Sequence, residues 1–141
     1  MAEETRVAHC ACGGLSVTVE GEPEFVVLCH CTQCQRRTGS PFGVGAYFLR
    51  SAAALNGASK TFVRAVEGSE RTVTNHFCPD CGCTVYWTLD RRPLHIGVAV
   101  GNFADPSFQA PRRAVWMQHK HDWVILPAGI STFEQGVSPA S

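Results

Sequence analysis

Residues 72–89 of this 141-residue chain read TVTNHFCPDCGCTVYWTL, which is two short runs joined by a turn that holds three cysteines. Alternation of apolar with polar residues is typical of a β-strand with one buried face. The proline, aspartate and glycine between the runs favour a turn. The segment therefore predicts two strands, Thr72 to Phe77 and Thr84 to Leu89, with thiols gathered at the turn between them.

Similar short runs recur along the rest of the chain, separated by turn formers such as Gly21-Glu22-Pro23 and Asn56-Gly57. They predict further strands at Leu15 to Val19, Phe25 to Leu28, Val44 to Leu49, Lys60 to Ala65, Leu94 to Val100 and Arg113 to Met117. Such spacing is typical of an antiparallel β protein. We expect a mainly-β fold of small antiparallel sheets with one or two short helices.

The clearest helical signal is Gln33 to Thr38, a segment of about two turns. Thr32 has the side chain of an N-cap, and Gln35 completes a Thr-x-x-Gln capping box with it. Gly39 then stands where a glycine commonly ends a helix. This helix begins inside the densest cluster of cysteines in the chain.

The length and composition predict one folded domain. Hydrophobic residues make up 45% of the chain and charged residues 17%, as in ordinary globular domains. We place the domain at residues 5–135 and expect a flexible tail at 136–141. No apolar run is long enough to span a membrane, and the first residues lack the pattern of a secretory signal, so we expect a cytoplasmic protein. Exposed strand edges make a homodimer plausible.

The eight cysteines fall into three tight groups. In a reducing compartment, clustered cysteines indicate metal ligands rather than disulfides. Cys-x-Cys and Cys-x-x-Cys turns bring sulfurs to the separation that tetrahedral zinc requires. The groups are Cys10-Ala11-Cys12, Cys29-His30-Cys31-Thr32-Gln33-Cys34 and Cys78-Pro79-Asp80-Cys81-Gly82-Cys83.

The first and third groups resemble each other, because Gly13 follows the first cysteine pair and Gly82 follows Cys81. Glycine suits a turn that leaves a metal site with a positive φ angle. We therefore assign a closed structural zinc to four thiolates, those of Cys10, Cys12, Cys78 and Cys81. Losing this zinc is expected to unfold most of the domain.

The middle group offers Cys29, Cys31 and Cys34 to a second zinc, so that two Zn²⁺ ions are expected per chain. Three protein ligands and an open position are typical of a catalytic zinc. Three thiolates make the ion a weak Lewis acid, which suits activation of a thiol better than hydrolysis. The same residues leave alternatives: one zinc only, or a second structural zinc closed by His30, His76 or Cys83. Cys83 can also substitute for Cys78 or Cys81, although we expect it to be a buried strand residue.

Net charge argues against a nucleic-acid partner. The chain is formally neutral, and seven metal-bound thiolates with two Zn²⁺ ions would bring it to a charge of about −3. A phosphate backbone is bound mainly through an excess of lysine and arginine. Neither a nucleic acid nor a membrane is therefore an expected partner.

With these groups placed, the chain resembles the glutathione-dependent formaldehyde-activating enzyme family, which includes centromere protein V. The resemblance covers about residues 5 to 135. It is carried by Cys10-x-Cys12-Gly13, by Cys29-His30-Cys31-x-x-Cys34-x-Arg36 running into Gly39-Ser40-Pro41-Phe42, and by Phe77-Cys78-x-x-Cys81-Gly82. Val98 to Phe108 and Trp116 to Phe133 resemble the family's later segments.

The resemblance implies a β-tent fold and carbon–sulfur lyase chemistry, in which glutathione adds to formaldehyde or the adduct falls apart. It also implies the two zinc sites assigned above. Glutathione carries two carboxylates, so Arg36 and Arg37 are candidate substrate-binding residues. His30, between two proposed ligands, is a candidate proton shuttle, ligand or bulky neighbour. Arg91-Arg92 and Arg112-Arg113 are weaker candidates.

Three functions are consistent with these residues. The first is a zinc-dependent lyase acting on a glutathione-type adduct of a small aldehyde, which resembles S-hydroxymethylglutathione synthase. The second is a structural zinc module that binds a protein or chromatin partner without catalysis. The third is a redox switch, in which Cys83 forms a disulfide when the metal leaves.

Overall fold

Residues 4–136 are described in a computed structural model of the chain. The chain is mainly β, as predicted, with one α-helix among the described residues. The strands are β1 Thr5–His9, β2 Ser16–Glu20, β3 Phe25–Cys29, β4 Gly43–Leu49, β5 Ala53–Asn56, β6 Lys60–Ala65, β7 Thr72–Phe77, β8 Thr84–Leu89, β9 Arg92–Ala99, β10 Arg113–Val115 and β11 Ser131–Thr132. The helix α1 is Thr32–Thr38, and short 3₁₀ turns lie at Arg50–Ala52, Val100–Phe103 and Met117–His119.

Two sheets are formed. One has three strands in the order β1-β2-β5, and the other has eight in the order β11-β10-β3-β4-β9-β8-β7-β6. The pairings are antiparallel except at one edge, where β10 runs parallel to both β3 and β11. Parallel pairing needs a long connection between the strands, and residues 116–130 provide one between β10 and β11. This parallel edge is a departure from the wholly antiparallel sheets that the spacing predicts.

The main core lies between the two sheets. Val17 and Val19 of β2 are fully buried, and they share one apolar cluster with Phe48 of β4, Val85 of β8 and Val98 of β9. Since successive strand residues point to opposite faces, the intervening residues of β4 and β9 face away from this core. The other face of the large sheet is therefore free to form a site.

Helix α1 begins at Thr32, so its N-cap is Cys31 and not the predicted Thr32. The side chain of Cys31, rather than Thr32, caps the helix, because its sulfur accepts a hydrogen bond from the Cys34 N–H at 3.3 Å. Gln35 makes no capping box, since its amide nitrogen donates to the backbone oxygens of His30 and His119. Gly39 ends the helix with a φ of 68°, as expected.

The predicted tail, 136–141, lies outside the described residues apart from Gly136. The proposed domain bounds therefore stay a prediction. Within residues 4–136, no helix is long and apolar enough to cross a membrane.

Gly57 provides a stability test, because it follows β5 with a φ of +95° and packs against the turn after Cys12. A Cβ at this position would overlap the carbonyl oxygen of Gly14 and lie 3.2 Å from the Leu15 Cα. We expect Gly57→Ala to lower the free energy of unfolding by about 2 to 4 kcal/mol, since strain and overlap both act. Chemical denaturation with circular dichroism measures the change.

Gly68→Ala is the matched control. Gly68 has a φ of +71°, but a Cβ there would meet no atom within 4 Å. Only the backbone strain remains, which costs about 1 kcal/mol. Equal losses in the two variants would contradict the contact at Gly57.

Candidate metal centres and cavity

The first and third cysteine groups meet in space. The sulfurs of Cys10, Cys12, Cys78 and Cys81 all lie within 4.8 Å of one another. Cys12 Sγ is 3.6 Å from both Cys10 Sγ and Cys78 Sγ. Tetrahedral zinc with four thiolates has sulfurs about 3.8 Å apart. The donor set and its spacing therefore fit zinc.

Two equivalent turns build this four-thiol cluster. Gly13 N–H donates to the Cys10 oxygen at 3.0 Å, and Gly82 N–H donates to the Cys78 oxygen at 2.9 Å. Both glycines have positive φ angles, 81° and 80°, as the sequence predicts. Backbone N–H groups of Cys83 and Cys12 lower the pKa of Cys81 to about 6. Such donors favour the thiolate that binds a metal.

Cys83 is not part of the four-thiol cluster. It precedes β8 rather than lying within it, and it is half-buried, so the expectation of a buried strand residue needs correction. Its sulfur accepts a hydrogen bond from the Ala11 N–H at 3.4 Å. This bond joins the two turns outside the group of four sulfurs.

A Cys83→Ala variant is expected to keep its full metal content. Removing one weak N–H···S hydrogen bond costs about 1 kcal/mol, which leaves the fold intact. Elemental analysis of the purified variant measures the metal. The loss of one metal equivalent would place Cys83 in the ligand set instead.

The middle group forms a second centre. The sulfurs of Cys29, Cys31 and Cys34 lie within 4.8 Å of one another, where β3 ends and α1 begins. Hydrogen bonds from the Cys29 and Cys34 thiols lower the pKa of Cys31 to about 2. The bond to Cys31 raises the pKa of Cys29. Three sulfur donors held this close together fit a zinc with an open position.

His30 is fully buried, and neither ring nitrogen has a hydrogen-bond partner among the described residues. Its ring packs edge-on against Phe42 at 6.1 Å. Burial lowers the pKa of His30, and the charges of Lys120 and His121 lower it further, so the ring is neutral near pH 7. His30 is absent from the described residues that line the cavity. The ring is therefore buried outside the described lining of the cavity.

A cavity of about 310 Å³ opens beside the three-thiol centre. It lies on the face of the large sheet that points away from the main core, since its β3 lining consists of the alternate residues Phe25, Val27 and Cys29. Strand β10 adds Arg113 and Val115. Cys29 therefore lies at one end of the cavity, and Phe25 lies about 13 Å away along the same strand.

The cavity is strongly cationic. Five arginines line it, against Glu67 as the single acidic residue among the described lining: Arg37, Arg64, Arg71, Arg92 and Arg113. Of the two leading arginine candidates, Arg37 lines the cavity while Arg36 is exposed outside it. Sequence reasoning missed Arg64 and Arg71, which come from the far edge of the sheet. An anionic ligand is the charge complement of this lining.

Aromatic rings form one wall of the cavity. Phe25 stacks on Tyr47 with ring centroids 4.8 Å apart. Trp87 Nε1–H donates a hydrogen bond to the Tyr47 hydroxyl at 3.0 Å. Burial raises the pKa of Tyr47 to about 12, so the phenol stays protonated near pH 7. The guanidinium carbons of Arg92 and Arg113 lie over the Phe25 ring, at 4.9 and 5.2 Å from its centroid.

The turn between β6 and β7 closes part of the cavity. Its Glu67 accepts a hydrogen bond from His119 Nε2–H at 3.0 Å, in the tautomer that carries the proton there. The His119 ring in turn stacks on Trp116, another lining residue. This contact joins the far edge of the sheet to the segment that follows β10.

Comparisons with known proteins identify a family and a structural neighbour. A family model described as glutathione-dependent formaldehyde-activating enzyme matches residues 5–119. A crystal structure of a Rhodobacter sphaeroides protein is similar with a TM-score of 0.52 and 22% sequence identity, over 68% of this chain and 85% of that chain. That likeness shows a shared fold. No curated protein sequence matches the chain.

Proposed function

Because the chain belongs to the glutathione-dependent formaldehyde-activating enzyme family, we propose that it is a zinc-dependent carbon–sulfur lyase. Its substrates would be a glutathione-type thiol, a small aldehyde such as formaldehyde, and their S-hydroxymethyl adduct. One observation carries the proposal: a centre of three thiols and no other clustered ligand, among the described residues, opens onto a cationic cavity.

Cys29, Cys31 and Cys34 would hold the zinc at this centre, and Cys10, Cys12, Cys78 and Cys81 would hold a second, structural zinc. Zinc bound by three thiolates supplies an open position that binds a further thiol and lowers its pKa. The residues that line the cavity orient the thiol and limit the access of water.

The charge of the cavity supports a glutathione-type substrate. Glutathione carries two carboxylates and one ammonium group at neutral pH. The five lining arginines exceed the single acidic residue of the described lining, so an anionic thiol is favoured over a neutral or cationic thiol. The aromatic wall formed by Trp87, Tyr47 and Phe25 would contact the uncharged part of the substrate.

The proposed reaction balances without any further reactant. The thiol gives its proton to solvent water, the sulfur lone pair forms a bond to the carbonyl carbon, and the C=O π pair moves onto oxygen. That oxygen then takes up one proton, which gives the hydroxymethyl adduct. The reverse sequence breaks the same C–S bond and releases the aldehyde.

Exchange NMR of glutathione, formaldehyde and their adduct tests the proposal. The metal-loaded protein is expected to speed exchange well above the rate in buffer, and the same protein stripped by a chelator is not. Equal exchange rates with and without the loaded protein, for glutathione and for other acidic thiols, would contradict the lyase. Such a result would favour the alternative function, a structural zinc module that binds a protein or chromatin partner.

A further inference from the structure

Arg37 reaches back from the last turn of α1 towards the thiol end of the cavity. A methyl group at Gly43 would lie 2.5 Å from Arg37 Nη2 and 3.5 Å from the Cβ of Cys34. Gly43 is also the strand partner of Cys29. The guanidinium therefore lies over the strand that flanks the three-thiol centre, close enough for its charge to act on Cys34.

The Trp87 ring packs against this guanidinium. The Arg37 Cζ atom lies 4.5 Å from the Trp87 ring centroid, a cation–π contact. The ring itself packs on the backbone of two glycines, where any side chain would overlap it. A Cβ at Gly45 would be 2.6 Å from Trp87 Cζ2, and a Cβ at Gly97 would overlap its indole nitrogen. Trp87 is therefore held against two glycines on one side and packs against the Arg37 guanidinium.

The N–H groups of Arg37 have no acceptor among the described residues of the protein. Across residues 4–136, no ion pair joins Arg37 to a carboxylate, and no hydrogen bond from its guanidinium is found. The side chain is half-buried in the cavity lining. A guanidinium offers five N–H donors in a fixed plane. Its N–H groups are therefore free to bind an acceptor that arrives with the substrate, near the sulfur centre.

We propose that Arg37 is a catalytic residue that donates hydrogen bonds to the aldehyde oxygen as the C–S bond forms. The inference rests on the proposed lyase function. Addition of the thiolate moves the C=O π pair onto oxygen, and the guanidinium stabilises that growing negative charge while keeping its own protons. The oxygen takes its proton from water, which balances the proton lost earlier by the thiol.

Arg37→Gln is the test, with Arg36→Gln as the matched control on the same helix. Arg36 is exposed and lies outside the described cavity lining. We expect Arg37→Gln to lower kcat about 100- to 1,000-fold with little change in the KM for the thiol, the size seen when one oxyanion donor is removed. Arg36→Gln is expected to stay within about twofold of the parent. Metal analysis and circular dichroism confirm that both variants are loaded and folded.

The separate effects on kcat and on KM distinguish two roles for Arg37. A rise in KM at unchanged kcat would overturn the inference, because it identifies a clamp for a substrate carboxylate. Unchanged kcat and KM would overturn it equally. Arg37→Lys, which keeps the charge but loses the planar fork, is expected to recover only part of the lost kcat.

A binding measurement tests Arg37 without turnover. Glutathione sulfonate places anionic oxygens beside the former thiol position, whereas S-methylglutathione is neutral there. By calorimetry, Arg37→Gln is expected to weaken sulfonate binding at least about 10-fold and to leave S-methylglutathione binding unchanged. Equal weakening for both ligands would overturn the inference. If the parent protein discriminates the two ligands in this way but shows no exchange activity, the lyase proposal fails while the anion contact at Arg37 stands.

Discussion

Replacing Cys78 by serine is expected to cost the protein one metal ion and most of its fold. Cys78 is 1% exposed and belongs to the main core cluster together with Cys10. Their thiols join the start of the small sheet to the β7–β8 turn. A structural zinc contributes about 10 to 16 kcal/mol to folding, which equals or exceeds the net stability of most domains, about 5 to 15 kcal/mol.

Far-UV circular dichroism and elemental analysis of the purified Cys78→Ser protein measure both losses. Cys83→Ala, five residues further along the same turn, is the control and is expected to keep fold and metal. A Cys78→Ser protein that retains its strand signal and full metal content would contradict the assignment of a structural site.

Replacing Cys31 by serine is expected to abolish turnover while the fold survives. The hydroxyl of serine is a poor zinc ligand, so the second centre loses its metal. A serine side chain still caps a helix well, so α1 keeps the N-cap that Cys31 provides. Cys31 also belongs to a small apolar cluster with Cys34, Val115 and Trp116, separate from the main core.

We expect the metal content of Cys31→Ser to fall from about two equivalents to about one, with circular dichroism unchanged. Its exchange activity with glutathione and formaldehyde is expected to fall at least about 1,000-fold, since the thiol is no longer activated. Unfolding of this variant would instead show that the middle cysteines are structural. That outcome would favour the binding-module alternative.

Alternation of apolar with polar residues was sufficient to predict strands such as β7, which buries one face. The alternation over residues 72–89 predicts two strands with the bounds that β7 and β8 have in the structure. Three strands escaped prediction: β1, β5 and β11. Strands β5 and β11 have only four and two residues, and β1 buries a single residue, Ala8, so none of the three shows a sustained alternation of apolar and polar residues.

The cysteine clusters could be predicted because their members are close in sequence or repeat the same turn. The cavity could not, since it depends on how the large sheet brings distant strands together. Arg64 of β6 and Arg113 of β10 come from strands at or near opposite edges of that sheet, yet both line the cavity. The choice between Arg36 and Arg37 likewise depends on the helix face that meets Trp87, which spacing from Cys34 alone does not reveal.

Cobalt(II) absorption spectroscopy tests most directly the claim that the middle cysteines form an open site for a substrate thiol. The cobalt-loaded protein is expected to bind about two Co²⁺ per chain, and Cys31→Ser about one. Added glutathione is expected to increase the sulfur-to-cobalt charge-transfer absorption of the parent and to leave that of Cys31→Ser unchanged. A parent spectrum that shows two sites of four sulfurs and does not respond to thiols would contradict the account.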